Sequence, residues 1–196
     1  MIGSLRGRLA HKQAPIIILE CAGVGYEVET PMSTFLELPE AGAEVSLFTH
    51  LLVRDDAHTL FGFASAEEKA LFRSLLKVSG VGAKMGLAVL SGMGVAEFAR
   101  CVRHEDTAML VKIPGVGKKT AERLIVEMRD RIDGAEAGGT VTPIRGEHVD
   151  ARGEAIGALV ALGYKPAEVK RLLESVDTHD KTAEDIIRLA LKQAVA

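Results

Sequence analysis

No tryptophan occurs in this chain, and aromatic residues make up only 4% of it. Proteins that hold single strands by base stacking need exposed rings, so that mode is disfavoured. Cysteine is almost as scarce. Cys21 and Cys101 stand far apart and neither belongs to a C-x-x-C pair. Buried free thiols in a cytoplasmic protein are the expectation. The six histidines, at 11, 50, 58, 104, 148 and 179, show no ligand spacing, so no metal site is expected. No apolar window approaches a membrane span, and the start MIGSLRGRLA lacks the apolar centre of a signal peptide. No nucleophile or carboxylate pair sits in a catalytic setting, so no catalytic residue and no cofactor are expected.

What is present is ordinary globular composition, 47% hydrophobic and 26% charged over 196 residues. That length suits one large domain or two to three small ones. The net charge of −3 is unevenly spread. Residues 1–64 hold 4 Lys+Arg against 8 Asp+Glu, and residues 134–196 hold 8 against 10. Residues 65–133 hold 12 against 9, a local basic excess. For steering toward an anion, a local patch matters more than the total.

That basic segment contains the stretch KIPGVGKKTAERLIVEMRDR, Lys112 to Arg131. Gly115 and Gly117 allow positive φ and a tight turn. A helix follows, with Leu124, Ile125 and Met128 on one face. The turn amides and the free N–H groups of the helix start form an anion site, and Lys118 and Lys119 add attraction. The anion is not a nucleotide held by a P-loop. Gly117-Lys118 is followed by Lys119 instead of Ser or Thr, and Lys112 stands where the first glycine belongs.

The device occurs twice. Val78-Ser79-Gly80-Val81-Gly82-Ala83-Lys84 aligns with Ile113-Pro114-Gly115-Val116-Gly117-Lys118-Lys119 at an offset of 35 residues. Gly86, Val89 and Leu90 then match Ala121, Leu124 and Ile125. A repeated supersecondary unit is a stronger signal than one Gly-rich turn. Two such units hold two phosphates at a fixed spacing, which suits a duplex gripped by its backbone. The pattern looks like a pair of helix-hairpin-helix motifs. The bland alternative is a Gly-Val-Gly link between packed helices.

Residues 1–64 read as a small β domain. Ile16 to Leu19 is β-branched, Val24, Tyr26 and Val28 alternate, Val45 to Val53 is a longer run, and Leu60 to Phe63 closes the segment. Five strands with a helical insert near Ser33–Leu38 fit a small barrel of the OB type. Phe61 and Phe63 share a strand face and are expected in the core. Arg54, Asp55 and Asp56 fall at a hairpin tip. Acids there are commonly solvated turn formers. In a DNA-binding protein an acidic tip repels phosphates and separates strands, while Arg54 holds a phosphate or pairs with an acid.

Residues 65–133 read as helical, opened by a Ser65–Glu68 capping box and interrupted by a cap at Asp106. Residues 134–149 have linker composition. Residues 150–196 read as three helices, with Pro166 and Thr182 near the second and third starts. Such a small bundle buries little core. Leu159, Leu162, Tyr164 and Leu191 are therefore candidates for a partly exposed docking patch, against the plainer reading that all four are core.

The barrel with its Arg54-Asp55-Asp56 tip, the paired hairpins, the run IPGVGKKTAERLIVEMRDR and the ALGYKPAEV tail together resemble the RuvA family over the whole chain. RuvA is the bacterial subunit that binds Holliday junctions within the RuvAB branch-migration complex. The resemblance implies a multidomain α+β protein: an OB barrel, a double helix-hairpin-helix domain and a UBA-like tail. It implies a fourfold-symmetric homotetramer holding a four-way DNA junction as an open square, with one tetramer or two sandwiching the DNA. DNA binding falls to Gly80, Gly82, Lys84, Gly115, Gly117, Lys118, Lys119 and Arg54. Asp55 and Asp56 take the place of the family's acidic pin, which is often Glu-Asp. The tail would contact RuvB, the ATP-driven motor, and RuvC, the resolving nuclease, would share the junction. The setting implied is homologous recombination and DNA repair.

Two other readings stand beside this one. A glycosylase or lyase built on helix-hairpin-helix units needs a catalytic Lys or Asp in a base-sized pocket. A pure scaffold would recruit a motor without selecting a DNA structure.

Overall fold

A computed structural model describes residues 1–137, 151–164, 166–174, 176 and 181–195. The chain divides into two compact units, Met1–Arg131 and Ile132–Ala196, each described by itself.

The first unit opens with β1 (Ser4–Gln13), β2 (Ile16–Cys21), β3 (Val24–Glu29), helix α1 (Met32–Glu37), β4 (Glu44–Val53) and β5 (His58–Phe63). The strands close into a barrel in the order β1-β2-β3-β5-β4. All pairings are antiparallel except β3 with β5. With α1 between β3 and β4, this is the OB arrangement expected. Inward-facing residues alternate along the strands. Leu9, Ile17, Val28, Leu47 and Leu60 meet in the barrel core, and Leu38 plugs it from the end of α1.

The strand β1 lies where the sequence pattern marks no apolar run. Leu5 and Leu9 alone mark its inner face, with Gly7 between them. A Cβ on Gly7 would strike the Glu20 carbonyl, so β1 and β2 approach too closely for any side chain there. Arg6 and Arg8 point outward and pair with Glu44 and Glu20.

Phe61 and Phe63 are buried, but against the helices and not inside the barrel. Both rings lie 5.0 Å from that of Phe72 on α2 (Ala66–Leu75). That seam fastens the barrel to a helical block of α2, α3 (Ala83–Gly92), α4 (Val95–Arg103), α5 (Thr107–Val111) and α6 (Lys118–Ala137). Ser65 caps α2 by accepting from the Glu68 N–H at 3.1 Å, and Asp106 caps α5 by accepting from the Met109 N–H at 3.0 Å. Phe72, Leu75, Val89, Phe98, Leu110, Leu124 and Met128 form its interior. Burying each such side chain is worth roughly 1.5–3 kcal/mol. Helix α3 packs so closely on α2 that a Cβ on Gly86 would sit 3.0 Å from the Phe72 ring.

Helix α6 continues to Ala137, past the start of the expected linker at 134. The rest of that linker, 138–149, lies outside the described residues. The second unit contains α7 (Ala151–Ala161), α8 (Pro166–Glu174) and α9 (Ala183–Val195). Ala155, Leu159, Val169, Leu173, Val176, Ile186 and Ala190 are its buried core. Among the described helices, none alone is long and apolar enough to cross a membrane.

Candidate nucleic-acid interface

The two Gly-Val-Gly turns have the same local construction. Val81 donates its N–H to the Val78 carbonyl at 3.1 Å, and Val116 donates to the Ile113 carbonyl at 3.0 Å. All four of these side chains are buried, which pins each turn by its apolar positions. The glycine inside each loop takes the left-handed region, φ +82° at Gly80 and +85° at Gly115. The second glycines do not. Gly82 has φ −94° and forms the N-cap of α3, and Gly117 is absent from the positive-φ set. Of the positive φ that the glycine pairs allow, each turn uses one.

What the second glycines supply is access. A Cβ at Gly82, Gly115 or Gly117 would meet nothing within 4 Å. No side chain caps α3. Among the described residues, the turn and cap hydrogen bonds use none of the amides of Gly82, Ala83, Gly117 or Lys118. These first N–H groups of α3 and α6 have no intrahelical acceptor. Both helix dipoles add positive potential at the turns. Lys84, Lys118 and Lys119 are exposed beside them.

The acidic tip is a four-residue loop between β4 and β5, closed by the Arg54 N–H donating to the Ala57 carbonyl at 2.9 Å. Arg54, Asp55 and Asp56 are all exposed, and none joins an ion pair among the described residues. The loop faces the start of α3 across an open cleft of about 350 Å³. Arg54, Asp56, Gly82 and Lys84 all line it, so the structure gathers four expected site residues around one space. Asp55 and the second turn, Gly115 to Lys119, are not part of that cleft. Glu29, Leu52 and Thr59 line it too, and no sequence pattern marked them.

In the second unit the expected docking patch is smaller. Leu159 is fully buried, because it occupies the centre of the three-helix core, and so it cannot lie on a surface. Leu162 is 62% exposed. Tyr164 and Leu191 are half-buried and pack against the core.

Cys101 is buried and its thiol pKa is raised, first by burial and then by Asp106 and Glu97. That keeps it protonated and unreactive. Among the described residues, no three His, Cys, Asp or Glu side chains gather as a metal site.

The chain is 56% identical over 197 residues to a protein of Thioalkalivibrio sulfidiphilus named Holliday junction branch migration complex subunit RuvA, covering 98% of both chains. It belongs to the RuvA family. RuvA proteins of Nitrosococcus oceani, at 56% identity over 98% of this chain and 99% of the relative, and Coxiella burnetii, at 52% over 100% and 98%, carry the same name. The model of the RuvA N-terminal domain matches residues 1–62, which is the barrel with its acidic tip. A model of the SAM-like helix-hairpin-helix tandem matches 72–130, which includes both Gly-Val-Gly turns. The model of the RuvA C-terminal domain matches 150–195.

Proposed function

We propose that this chain binds four-way DNA junctions through backbone phosphates, without reading sequence, and hands them to an ATP-driven motor. The observation that carries this is the pair of similarly built turns, each ending in a helix start with unused amides and at least one exposed lysine. A turn of this kind takes a phosphate and ignores the base attached to it. The relatives named as branch migration complex subunits point the phosphates toward a Holliday junction.

In this reading Gly80, Gly82 and Lys84 grip one phosphate of a duplex arm, and Gly115, Gly117, Lys118 and Lys119 grip another. Arg54 reaches a strand near the crossover. Cyclic assembly of four subunits supplies one such grip per arm and holds the junction open and square, with one tetramer or two facing each other across it. Asp55 and Asp56, repeated about the axis, repel the strands at the crossover and guide their parting.

Labour divides between the barrel (1–64), the paired hairpins (65–133) and the tail (150–196). The tail docks a RuvB-type ATPase through a surface that includes Leu162, and a RuvC-type resolvase shares the junction. The chain contributes geometry and charge; the work comes from the motor. A gel-shift titration of four-way DNA against linear duplex, with competitor, tests the central claim. Preference for the four-way form supports it, and equal affinity defeats it.

A further inference from the structure

Helix α6 starts at the second turn, yet it bonds to the backbone of the first. The Arg123 Nη1 donates to the Ser79 carbonyl at 3.0 Å, and Arg131 Nη1 donates to the Ser74 carbonyl at 2.9 Å. Ser79 lies in the first turn itself, next to Gly80. Ser74 lies in the last turn of α2, the helix leading into it. The same Arg123 nitrogen sits 3.3 Å from where a Cβ on Gly80 would be. The two arginines are eight residues apart, about 12 Å along the helix. Both acceptors are main-chain oxygens, so what is held is the path of the backbone. The repeat is lopsided here: Ala88 occupies the place in α3 that Arg123 occupies in α6.

We propose that Arg123 and Arg131 are positioning residues that set the distance between the two phosphate grips. This rests on the reading of the turns as phosphate grips. Elsewhere α6 meets its neighbours through buried Leu124, Ile125 and Met128 and through Arg129, which donates to the exposed Glu105 side chain at 3.1 Å, outside the first turn. Apolar contact is non-directional and lets a helix slide. Charged hydrogen bonds to fixed carbonyls do not. Phosphates on a duplex are regularly spaced, so a shifted grip misses its target although each turn stays intact. Arg123 is exposed, which makes direct contact with a phosphate the rival role.

The test uses the full chain with a synthetic four-way junction and a linear duplex of the same arm length. Affinity is measured by fluorescence anisotropy over a salt series for R123Q, R123K, R131Q and the doubles R123Q/K84A and R123Q/K119A. The proposal expects R123Q to weaken binding about tenfold, the size of one lost charged hydrogen bond. The slope of log affinity against log salt should stay at the unmodified value, and R123K should recover part of the loss. Adding K84A to R123Q should cost less than the product of the two singles, because the grip Lys84 serves is already displaced. K119A should multiply, because its own turn is not.

Unchanged affinity for R123Q, or a slope reduced by about one unit, overturns the positioning role. So does strict multiplication in both doubles. If R123Q melts below the assay temperature, R123K and R131Q carry the same comparison. Should the unmodified chain fail to prefer four-way DNA, the junction reading falls, while the brace is still read from affinity for linear duplex.

Discussion

Thr34 of α1 donates its hydroxyl to the Glu68 carboxylate of α2 at 2.7 Å, and this contact joins the barrel to the helical block. The same carboxylate accepts from Ser33 Oγ at 2.6 Å and from the Ala64 N–H at 3.2 Å. Thr34 is fully buried. The Ser65–Glu68 capping box is therefore only half formed as such. Ser65 caps the helix, while Glu68 turns its side chain to the barrel insert. Removing the acceptor strands the buried Thr34 hydroxyl, at about 1–3 kcal/mol for the unsatisfied group, while the Ala64 N–H keeps Thr34 Oγ1 as acceptor at 2.9 Å. Glu68→Ala is expected to destabilise the first unit by about 1–3 kcal/mol. Denaturant unfolding checks this, and a loss well under 1 kcal/mol would show that the joint is not structural.

The two glycines of the second turn should respond differently to alanine. At Gly115, φ is +85°, so Gly115→Ala imposes left-handed strain of roughly 1–2 kcal/mol on the fold. At Gly117 a Cβ meets nothing, and the backbone is not in the left-handed region. Gly117→Ala should leave the unfolding midpoint within about 1 °C, since no strain or clash is added. With the turn acting as the proposed phosphate grip, it should nonetheless weaken DNA binding several-fold, because the methyl fills the open space in front of the amides. A thermal melt and an anisotropy titration on both variants separate the two effects.

The contrast shows what was legible in the sequence. The repeat and its turn chemistry could be read directly, because a glycine pair and a lysine at a fixed offset leave few alternatives. The barrel strands could be read from apolar and alternating runs, except β1, whose inner face carries little besides Leu5 and Leu9, while the order in which they pair could not. Burial in the three-helix unit was not legible. Leu159 and Leu162 look alike in one dimension, but Leu159 points into the bundle and Leu162 follows the last residues of α7, before Gly163 turns the chain at φ +100°. Arg123 and Arg131 were invisible as braces, because their partners are carbonyls 44 and 57 residues away. Main-chain acceptors leave no trace in residue identity.

Asp55 and Asp56 are exposed and unpaired among the described residues, so replacing them should not disturb the fold. The double variant Asp55→Asn/Asp56→Asn should bind four-way DNA several-fold more tightly at about 0.01 M salt, where charges act over about 30 Å. The gain should vanish near 1 M, where the range is about 3 Å. With the proposed strand-parting role of the tip removed, motor-driven branch migration should slow in the same variant. Equal affinity at low salt would remove the repulsive role of the tip.

His50 makes acid a stress on the seam between barrel and helices. Its ring stands edge-on to Phe72 at 5.9 Å, and its pKa is lowered from 6.5 by burial first, then by Arg73 and Lys69. Above pH 6.5 the imidazole is neutral in both folded and unfolded chains and costs nothing. Between 6.5 and the lower folded value, only the unfolded chain takes the proton, so stability falls as the pH falls. Melting temperature should therefore decline from neutrality into this window. Substituting His50→Gln should flatten that part of the decline. Parallel melting curves for the two proteins would show that the slope comes from other groups.

Two leucines of the second unit, three residues apart, should divide stability from recruitment. Leu159 is 0% exposed and Leu162 is 62% exposed. Leu159→Ala empties the centre of a small core, at about 2–5 kcal/mol, and should unfold the three-helix unit. Leu162→Asp leaves that core untouched. Its unfolding curve should match the parent, and its affinity for four-way DNA should also be unchanged, since the proposed phosphate grips lie in the first unit. Capture of a purified RuvB-type ATPase should nevertheless drop by tenfold or so, as a charge replaces an apolar anchor at an interface. Undiminished capture by Leu162→Asp would move the docking surface elsewhere on the unit. Lost junction binding would instead show that the tail takes part in holding DNA.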